Sequence, residues 1–503
     1  MPGSALDLLV FDSAGQPLPA ANLSRAMVVD LEYMPAFEHK PVLTTGKATL
    51  PTAEFPFAVC LRLPVEGFGC VWVYADNDGQ GYSAREVAGR AFNFCLEAAS
   101  SRVAAVSRAE ERFKAVGTRP SADYRQRMSK ARTLLADARA KAADAASCAR
   151  PAMASLADSL HAGEMLVIEH ARAQIAARGP RKGFRFGCNG FRYPQLGEPY
   201  AELFTNLLNF VTLPFYRGMT ERVEGQRDFS AAQKILERML RSGVEAKGHP
   251  LLWFHRASIP EWLKGKTYDQ VRASSRDYIL DAVRRFKDRV HVWDVINEAH
   301  DWANDFSFDL DQLVELTRLA ADATREADPK ALRIVNSCCT WSEYVADGRN
   351  YSLPLGRPGR SVLSYVRDVL KAGVDFEVIG LQMYYPARDM FEIDRHLDMF
   401  CRLGKPVHIT ELGVSSSIAP VKVARDNPGI SPNYWHGREW SESEQAEWVE
   451  AYYTICYAKP AIEAITWWDF CDPAFIPHGG FADENLRPKE AYHRLKKLVT
   501  HWR

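Results

Sequence analysis

Two glutamates follow strongly apolar segments, and a pair of this kind is able to perform acid/base and nucleophilic chemistry. Glu298 ends the run 293–298 (WDVINE), and Glu411 ends the run 408–411 (HITE). Burying a carboxylate is costly, so a buried strand that carries one implies a partner or a task for it. Cleavage of a glycosidic bond needs two carboxyl groups, one to protonate the leaving oxygen and one to attack the anomeric carbon. For either glutamate alone, helix capping or pairing with an arginine is the alternative.

The elements that would position these glutamates repeat regularly from residue 181 onwards. Eight apolar, strand-like segments alternate with amphipathic helical segments, at 184–187, 209–213, 244–253, 290–297, 332–336, 376–382, 405–411 and 463–468. Eight such units predict an α/β fold, a (β/α)8 TIM barrel over residues 181–503. Active sites of this fold lie at the carboxyl ends of the strands, where Glu298 (strand four) and Glu411 (strand seven) would meet.

The first 178 residues have a different pattern. Residues 1–90 contain short apolar segments separated by turn residues, which predicts a β-sandwich with either a carbohydrate-binding or a packing role. Residues 91–178 show helical spacing broken near 117–120 and at Pro151, which predicts about three helices forming a spacer or bundle. A solvated structural stalk is favoured over a partner-binding coiled coil.

Composition limits the possible partners. Lys plus Arg and Asp plus Glu both number 63, and a neutral chain lacks the field expected for nucleic-acid or anionic-membrane binding. Apolar stretches are shorter than the ~20 residues of a membrane helix. The ten cysteines form no CxxC pair, so no metal site is expected. Aromatic residues make up 11%, including 12 Trp, which suits sugar stacking or large cores equally well.

Residues 181–503 resemble glycoside hydrolase family 10, whose best-known members are endo-β-1,4-xylanases. The resemblance is carried by motifs in the same order as in the family, at 248–253, 293–298, 379–382, 409–412, 465–468 and 483–489. It implies a retaining β-glycoside hydrolase with Glu298 as general acid/base and Glu411 as nucleophile. The implied substrate is a β-linked plant-type glycan, with xylan or xylo-oligosaccharides favoured. No cofactor is implied.

The resemblance also assigns binding residues. Asn297 would hydrogen-bond the 2-hydroxyl of the sugar in the −1 subsite, the position occupied by the ring that is attacked. His249 and Gln382 would bind that sugar or the nucleophile. Trp468 would form its stacking floor, and Trp253 would line the same pocket. The alternatives are barrel core for the two tryptophans and a structural role for His249.

Several positions depart from the family pattern. The polar run that binds sugar on the glycone side, the side of the attacked ring, is replaced by 213–218 (LPFYRG), so either Arg217 or Tyr216 serves instead or that side is blocked. Tyr384 stands where the family has a histidine that bonds the nucleophile. Gly413 stands where it has the aspartate paired with that histidine. A tyrosine hydroxyl is able to hold Glu411 directly and still favour its ionised form.

Other departures affect the walls of the site. Phe254 replaces a usual histidine, and His255 is expected to take its place from a shifted position. A long loop at 415–440 carries Tyr434, Trp435, His436 and Trp440 and is expected to wall the subsites, while segment 346–360 narrows the cleft.

Three alternatives remain open. In the first, the chain is an exo-acting enzyme on a different or decorated glycan. In the second, it is a non-catalytic carbohydrate-binding barrel. In the third, it is a scaffold whose helices recruit partners. The presence of both glutamates favours the enzyme. Family resemblance implies secretion or a periplasmic location, whereas scattered cysteines and the lack of a visible signal peptide fit the cytoplasm. Oligomeric state and endo versus exo action are not predicted.

Overall fold

The computed structural model of the protein describes residues 5–384, 387–420 and 434–502. Part of the predicted 415–440 loop, including residues 421–433, lies outside them. Among the described residues, no helix is both long enough and apolar enough to cross a membrane.

The N-terminal segment forms two small sheets with a shared apolar core. Its strands are β1 Ala5–Leu9, β2 Met27–Val29, β3 Val42–Thr44, β4 Lys47–Pro51, β5 Ala58–Val65, β6 Gly69–Ala75 and β7 Ala91–Asn93. They pair in the orders β3-β4-β1-β7 and β2-β5-β6. Alternate residues of β1 and β4 are buried, as expected for strands that cover a core with one face. A short helix, α1 Ala84–Val87, precedes β7.

Three long helices follow, α2 Phe94–Ala115, α3 Ala122–Ala140 and α4 Ala145–Arg178. Each begins at a side-chain cap, from Asn93, Ser121 and Asp144 respectively. The predicted break at Pro151 is absent, because α4 continues through that proline. The boundary lies instead at residues 141–144, where Asp144 accepts from the first free amides of α4.

The helical segment does not stand out as a solvated stalk. Helix α4 packs against α2 and α3 on one side and, on the other, against two helices of the C-terminal part, α12 Met390–Cys401 and α13 Glu442–Ala458. Between α2 and the start of α12, Arg102 and Asp389 form a buried ion pair at 2.7 Å. The apolar side chains of α4 lie on two buried faces, one against each set of neighbours. The sequence periodicity predicts only one such face.

The C-terminal part of the chain forms a closed parallel barrel, as predicted. Its strands are β8 Arg185–Asn189, β9 Phe210–Pro214, β10 Glu245–His249, β11 Leu252–Trp253, β12 Val292–Asn297, β13 Leu332–Ser337, β14 Val378–Gln382, β15 Val407–Glu411 and β18 Ile462–Trp467. Strands β10 and β11 are two pieces of one barrel strand, so eight strands close the ring in the described part of the chain. A hairpin, β16 Tyr434–Trp435 and β17 Arg438–Glu439, lies between β15 and β18.

Helices surround the barrel, one after each strand: α5 Tyr193–Thr205, α7 Ser230–Leu240, α8 Tyr268–Phe286, α9 Leu310–Ala327, α11 Val362–Lys371, α12 Met390–Cys401, α13 Glu442–Ala458 and α14 Glu490–Trp502. Two short helices, α6 Arg217–Thr220 and α10 Glu343–Asp347, lie in the loops at the carboxyl ends of the strands. Inside the barrel, Gly248 is required because a Cβ there would lie 2.2 Å from the Trp293 ring.

Candidate active site

Glu298 and Glu411 both lie at the carboxyl end of the barrel. Glu411 is the last residue of β15, and Glu298 follows the last residue of β12. The backbone of Glu298 is left-handed (φ 56°), which interrupts the side-to-side alternation of the strand. Consecutive side chains therefore reach the same partner: Gln382 Nε2 lies 3.2 Å from Asn297 Oδ1 and 2.9 Å from Glu298 Oε1.

Two neutral donors hold the Glu298 carboxyl group. The Trp253 indole donates to Oε2 at 2.8 Å, and Gln382 donates to Oε1 at 2.9 Å. Only 7% of Glu298 is exposed, and this burial raises its pKa despite the two donors. The group therefore retains a proton at pH values where a solvated carboxyl has lost it, which suits a general acid.

Glu411 lies among three polar side chains. Tyr384 donates its hydroxyl to Oε2 at 3.0 Å, Asn336 donates to Oε1 at 3.3 Å, and His249 Nε2 lies 3.7 Å from Oε1. Burial, and then repulsion from Glu298, raise the pKa of Glu411 well above its ordinary value. Two carboxyl groups that repel each other in a buried site share one proton over a wide pH range. The pair thus supplies one acid and one carboxylate. The Lys247 ammonium and the Tyr384 hydroxyl favour the charge on Glu411, which leaves the shared proton to Glu298.

A charged cluster beneath Glu411 fixes the orientation of His249. Asp294 Oδ2 lies 2.7 Å from Lys247 Nζ and 2.6 Å from His249 Nδ1. Burial opposes ionisation of Asp294, but Lys247 and His249 hold its pKa below the usual value. Burial lowers the pKa of His249, whose Nδ1 faces the Asp294 carboxylate while its Nε2 faces Glu411.

Sequence reasoning missed Asn336, which connects β12 and β15, the strands that carry the two glutamates. Asn336 Nδ2 donates to Asn297 Oδ1 at 2.7 Å and to Glu411 at 3.3 Å, while Thr410 Oγ1 donates to its oxygen at 2.5 Å. The available signal was an amide at the end of the fifth strand, directly after two apolar residues. Lys247 and Asp294 were missed as well, although both are charged residues within apolar strands.

Aromatic rings line the site next to His249. Trp468 lies with its ring centroid 5.2 Å from that of His249, and Tyr216 lies 5.6 Å from it. Tyr216 also lies 5.8 Å from Trp253. Trp468 and Trp253 therefore belong to the mouth of the barrel, next to the carboxylates, and Tyr216 joins them.

Two predicted binding residues lie away from the carboxylates. Arg217 turns outward, with Nε 2.7 Å from Glu221 Oε2 and Nη2 donating to Ser274 at 2.6 Å. Glu221, one helical turn further along the chain, holds the Arg217 side chain, and Tyr216 takes the place at the site. His255 stacks on Trp253 with centroids 4.4 Å apart and accepts from the Ala257 amide.

The Tyr384 and Gly413 departures fit each other in space. A Cβ at Gly413 would lie 3.1 Å from Ile476 and 3.5 Å from the Tyr384 ring. The space for an aspartate is thus filled, and the Tyr384 hydroxyl bonds Glu411 without a second charged group.

Replacing Tyr384 with phenylalanine is expected to lower kcat/KM by about 10- to 100-fold, because a hydrogen bond to a charged group contributes about 1.5–3 kcal/mol. The Tyr384 hydroxyl favours the ionised form of Glu411, so its removal raises the pKa of Glu411. The acidic limb of the pH–rate profile should therefore move to higher pH. Steady-state kinetics across pH test both effects. Tyr268→Phe, which removes a hydroxyl bonded to Glu315 on the barrel exterior, is the matched control. An unshifted acidic limb in Tyr384→Phe would refute this role.

Comparison with known proteins adds a family match. The model described as Glycosyl hydrolase family 10 matches residues 198–498. Endo-1,4-beta-xylanase B of Thermotoga neapolitana is 26% identical over 336 residues, covering 63% of this chain and 88% of the relative. Endo-1,4-beta-xylanase C of Paenibacillus barcinonensis is 26% identical over 246 residues, 43% of this chain but only 21% of that longer protein. The crystal structure of native xylanase 10B from Thermotoga maritima shares the fold, with a TM-score of 0.50, 23% identity and coverage of 63% of this chain and 95% of that one.

Proposed function

Because the chain belongs to glycosyl hydrolase family 10, we propose that it hydrolyses xylan or xylo-oligosaccharides with net retention of the anomeric configuration. The observation that carries this proposal is the buried pair Glu298 and Glu411, joined by a network of amide side chains. The choice of xylan rests on the similarity to endo-1,4-beta-xylanases.

In the first step, Glu298 donates its proton to the glycosidic oxygen while Glu411 attacks the anomeric carbon. The leaving sugar departs as an alcohol, and a covalent glycosyl-Glu411 ester forms. Glu298, now ionised, takes a proton from a water that attacks the same carbon and releases Glu411. Two inversions at that carbon give overall retention.

The amide network supports retention. Asn297 Oδ1 accepts from both Asn336 and Gln382. Those two amides also donate to the carboxylates, Asn336 to Glu411 and Gln382 to Glu298. The carboxyl groups are therefore bridged by a few directly bonded side chains. Retention requires both carboxyl groups to act at the same anomeric carbon, and the shared amides fix their positions relative to each other.

Hydrolysis of arabinoxylan followed by proton NMR tests this function. The first reducing sugar released is expected to be the β-anomer, with the α-anomer appearing only later by mutarotation. Reducing-sugar release should exceed that of a Glu411→Ala blank. A first-formed α-anomer would rule out retention. Cleavage of aryl β-glucosides with no release from arabinoxylan or aryl β-xylosides would instead rule out xylan as the substrate.

A further inference from the structure

Four aromatic side chains form a closed cycle on one side of the site. Tyr216 contacts Phe191 at a centroid distance of 6.0 Å, and Phe191 contacts Trp468 at 5.7 Å. Trp468 contacts His249 at 5.2 Å, and His249 returns to Tyr216 at 5.6 Å. All four contacts are edge-to-face, the geometry of rings in van der Waals contact. We call this set the ring wall.

The ring wall covers one half of the barrel mouth. Phe191 follows β8, Tyr216 follows β9, His249 ends β10 and Trp468 follows β18, so the wall spans four neighbouring strands. His249 connects it to the nucleophile, since Nε2 lies 3.7 Å from Glu411 Oε1. Because the rings touch one another, a sugar chain has no passage between them.

The ring wall ends where Tyr216 contacts Trp253, at a centroid distance of 5.8 Å. A second row of aromatic rings begins at Trp253, whose indole bonds Glu298. It continues through His255 at 4.4 Å and Tyr351 at 4.2 Å to Trp302 at 6.2 Å. These four side chains are partly exposed, and the row leads from the acid to the 346–360 segment at the surface. We call it the ring platform.

The chemistry assigns a side to each feature. The acid protonates the oxygen that leaves, so the leaving sugar extends from Glu298 along the ring platform. The attacked sugar lies over Glu411, and any further sugars on its non-reducing side would have to cross the ring wall. We propose that the site holds a single sugar on the glycone side, and that the enzyme removes the terminal sugar from the non-reducing end of a xylo-oligosaccharide.

This inference rests on the proposed hydrolase function and narrows its substrate. Each turnover adds one water across the first linkage and releases one monosaccharide and a chain shortened by one unit. Affinity should depend on the length of the leaving portion, because stacking on the ring platform is available only there.

Borohydride-reduced xylohexaose, in which the reducing end is marked, tests the inference. The first products are expected to be xylose and the reduced pentamer, resolved by mass spectrometry at low conversion. Xylobiose or xylotriose as the first unreduced product would overturn the single-sugar pocket.

Opening the ring wall should change the product pattern. In the double variant Phe191→Ala and Tyr216→Ala, the ratio of xylose to xylobiose among first products should fall at least about tenfold, as expected when steric exclusion of one group is removed. Met219→Ala in α6 is the matched control, because Met219 is 60% exposed and two residues beyond Arg217. An unchanged ratio in the double variant would contradict the wall as the cause.

Failure of the proposed substrate can be separated from failure of the pocket. A panel of 4-nitrophenyl β-monosides and β-1,4-linked biosides of xylose, glucose and mannose reports both. Cleavage of a gluco- or manno-monoside without any xyloside would contradict xylan but support the pocket. Direct nitrophenol release from biosides, with no turnover of monosides, would overturn the pocket whatever the sugar. If no glycoside is cleaved, calorimetric binding to Glu411→Ala decides. The gain in affinity from xylose to xylobiose should survive in the double variant, because the second sugar lies on the ring platform. A gain that the double variant abolishes would overturn the pocket.

Discussion

Glu411→Ala is expected to lower kcat/KM on every β-glycoside by on the order of 10⁴-fold or more, the effect typical of removing a nucleophile. Without the carboxylate, no glycosyl-enzyme ester forms, and the Tyr384 and Asn336 donors lose their acceptor. Initial rates on an aryl glycoside with a good leaving group give the measurement. Wild-type-like rates would contradict the nucleophile assignment.

A small anion should partly restore this variant. The shortened side chain leaves space beneath the anomeric carbon, so added azide is expected to attack there in a single inversion and give the α-glycosyl azide. Formation of the β-glycosyl azide would mean that the substitution opened the face on which the acid lies. That result would refute the assignment of Glu411 as the nucleophile. Glu245→Ala is the control: Glu245 begins β10 at the opposite end of the barrel and pairs with Arg185, so turnover should persist.

Glu298→Ala is expected to act according to the leaving group. Proton donation by a positioned acid contributes about 10²–10⁴-fold, so cleavage of natural sugar–sugar linkages should fall by that amount. Aryl glycosides whose leaving group is already a weak base need little protonation and should lose far less in the glycosylation step. A series of aryl glycosides of graded phenol pKa measures this dependence. Equal losses along the series would count against Glu298 as the acid.

The alkaline limb of the pH–rate profile should belong to the same residue. Burial raises the pKa of Glu298, so the protonated acid persists above the ordinary carboxyl range and activity falls as pH rises through the raised value. Glu298→Gln has no proton to lose, so its residual activity on activated substrates should lack that limb. Retention of the limb would assign it to another group.

The barrel was predictable because its signal is local. Strands buried on both faces are continuous apolar runs, and each observed strand begins or ends within a few residues of its predicted segment. The placement of Glu298 and Glu411 at neighbouring strand ends was predictable for the same reason, since both end such runs and the fold brings strand ends together.

Residues whose roles depend on tertiary contacts were not predictable. Arg217 and Tyr216 are adjacent, and only the position of Glu221, one turn along α6, decides which of them faces the site. Asn336 acquires its role from partners on β12 and β15, at sequence distances of 39 and 75 residues. Pro151 was read as a helix break because proline removes one hydrogen bond, but packing of α4 on two sides compensates for that loss.

The ion pair between Arg102 and Asp389 has a consequence far from the cleft. It lies almost fully buried between the N-terminal third and a barrel helix, within an apolar core that runs without interruption from the small sheets into the barrel. Loss of either partner would leave an uncompensated charge in that core, a defect of about 3–5 kcal/mol. A defect of that size is a large share of the stability of a whole protein. We therefore expect the chain to unfold as one cooperative unit, so that inherited variation in the first 178 residues would reduce the amount of enzyme while leaving the chemistry of each surviving molecule unchanged.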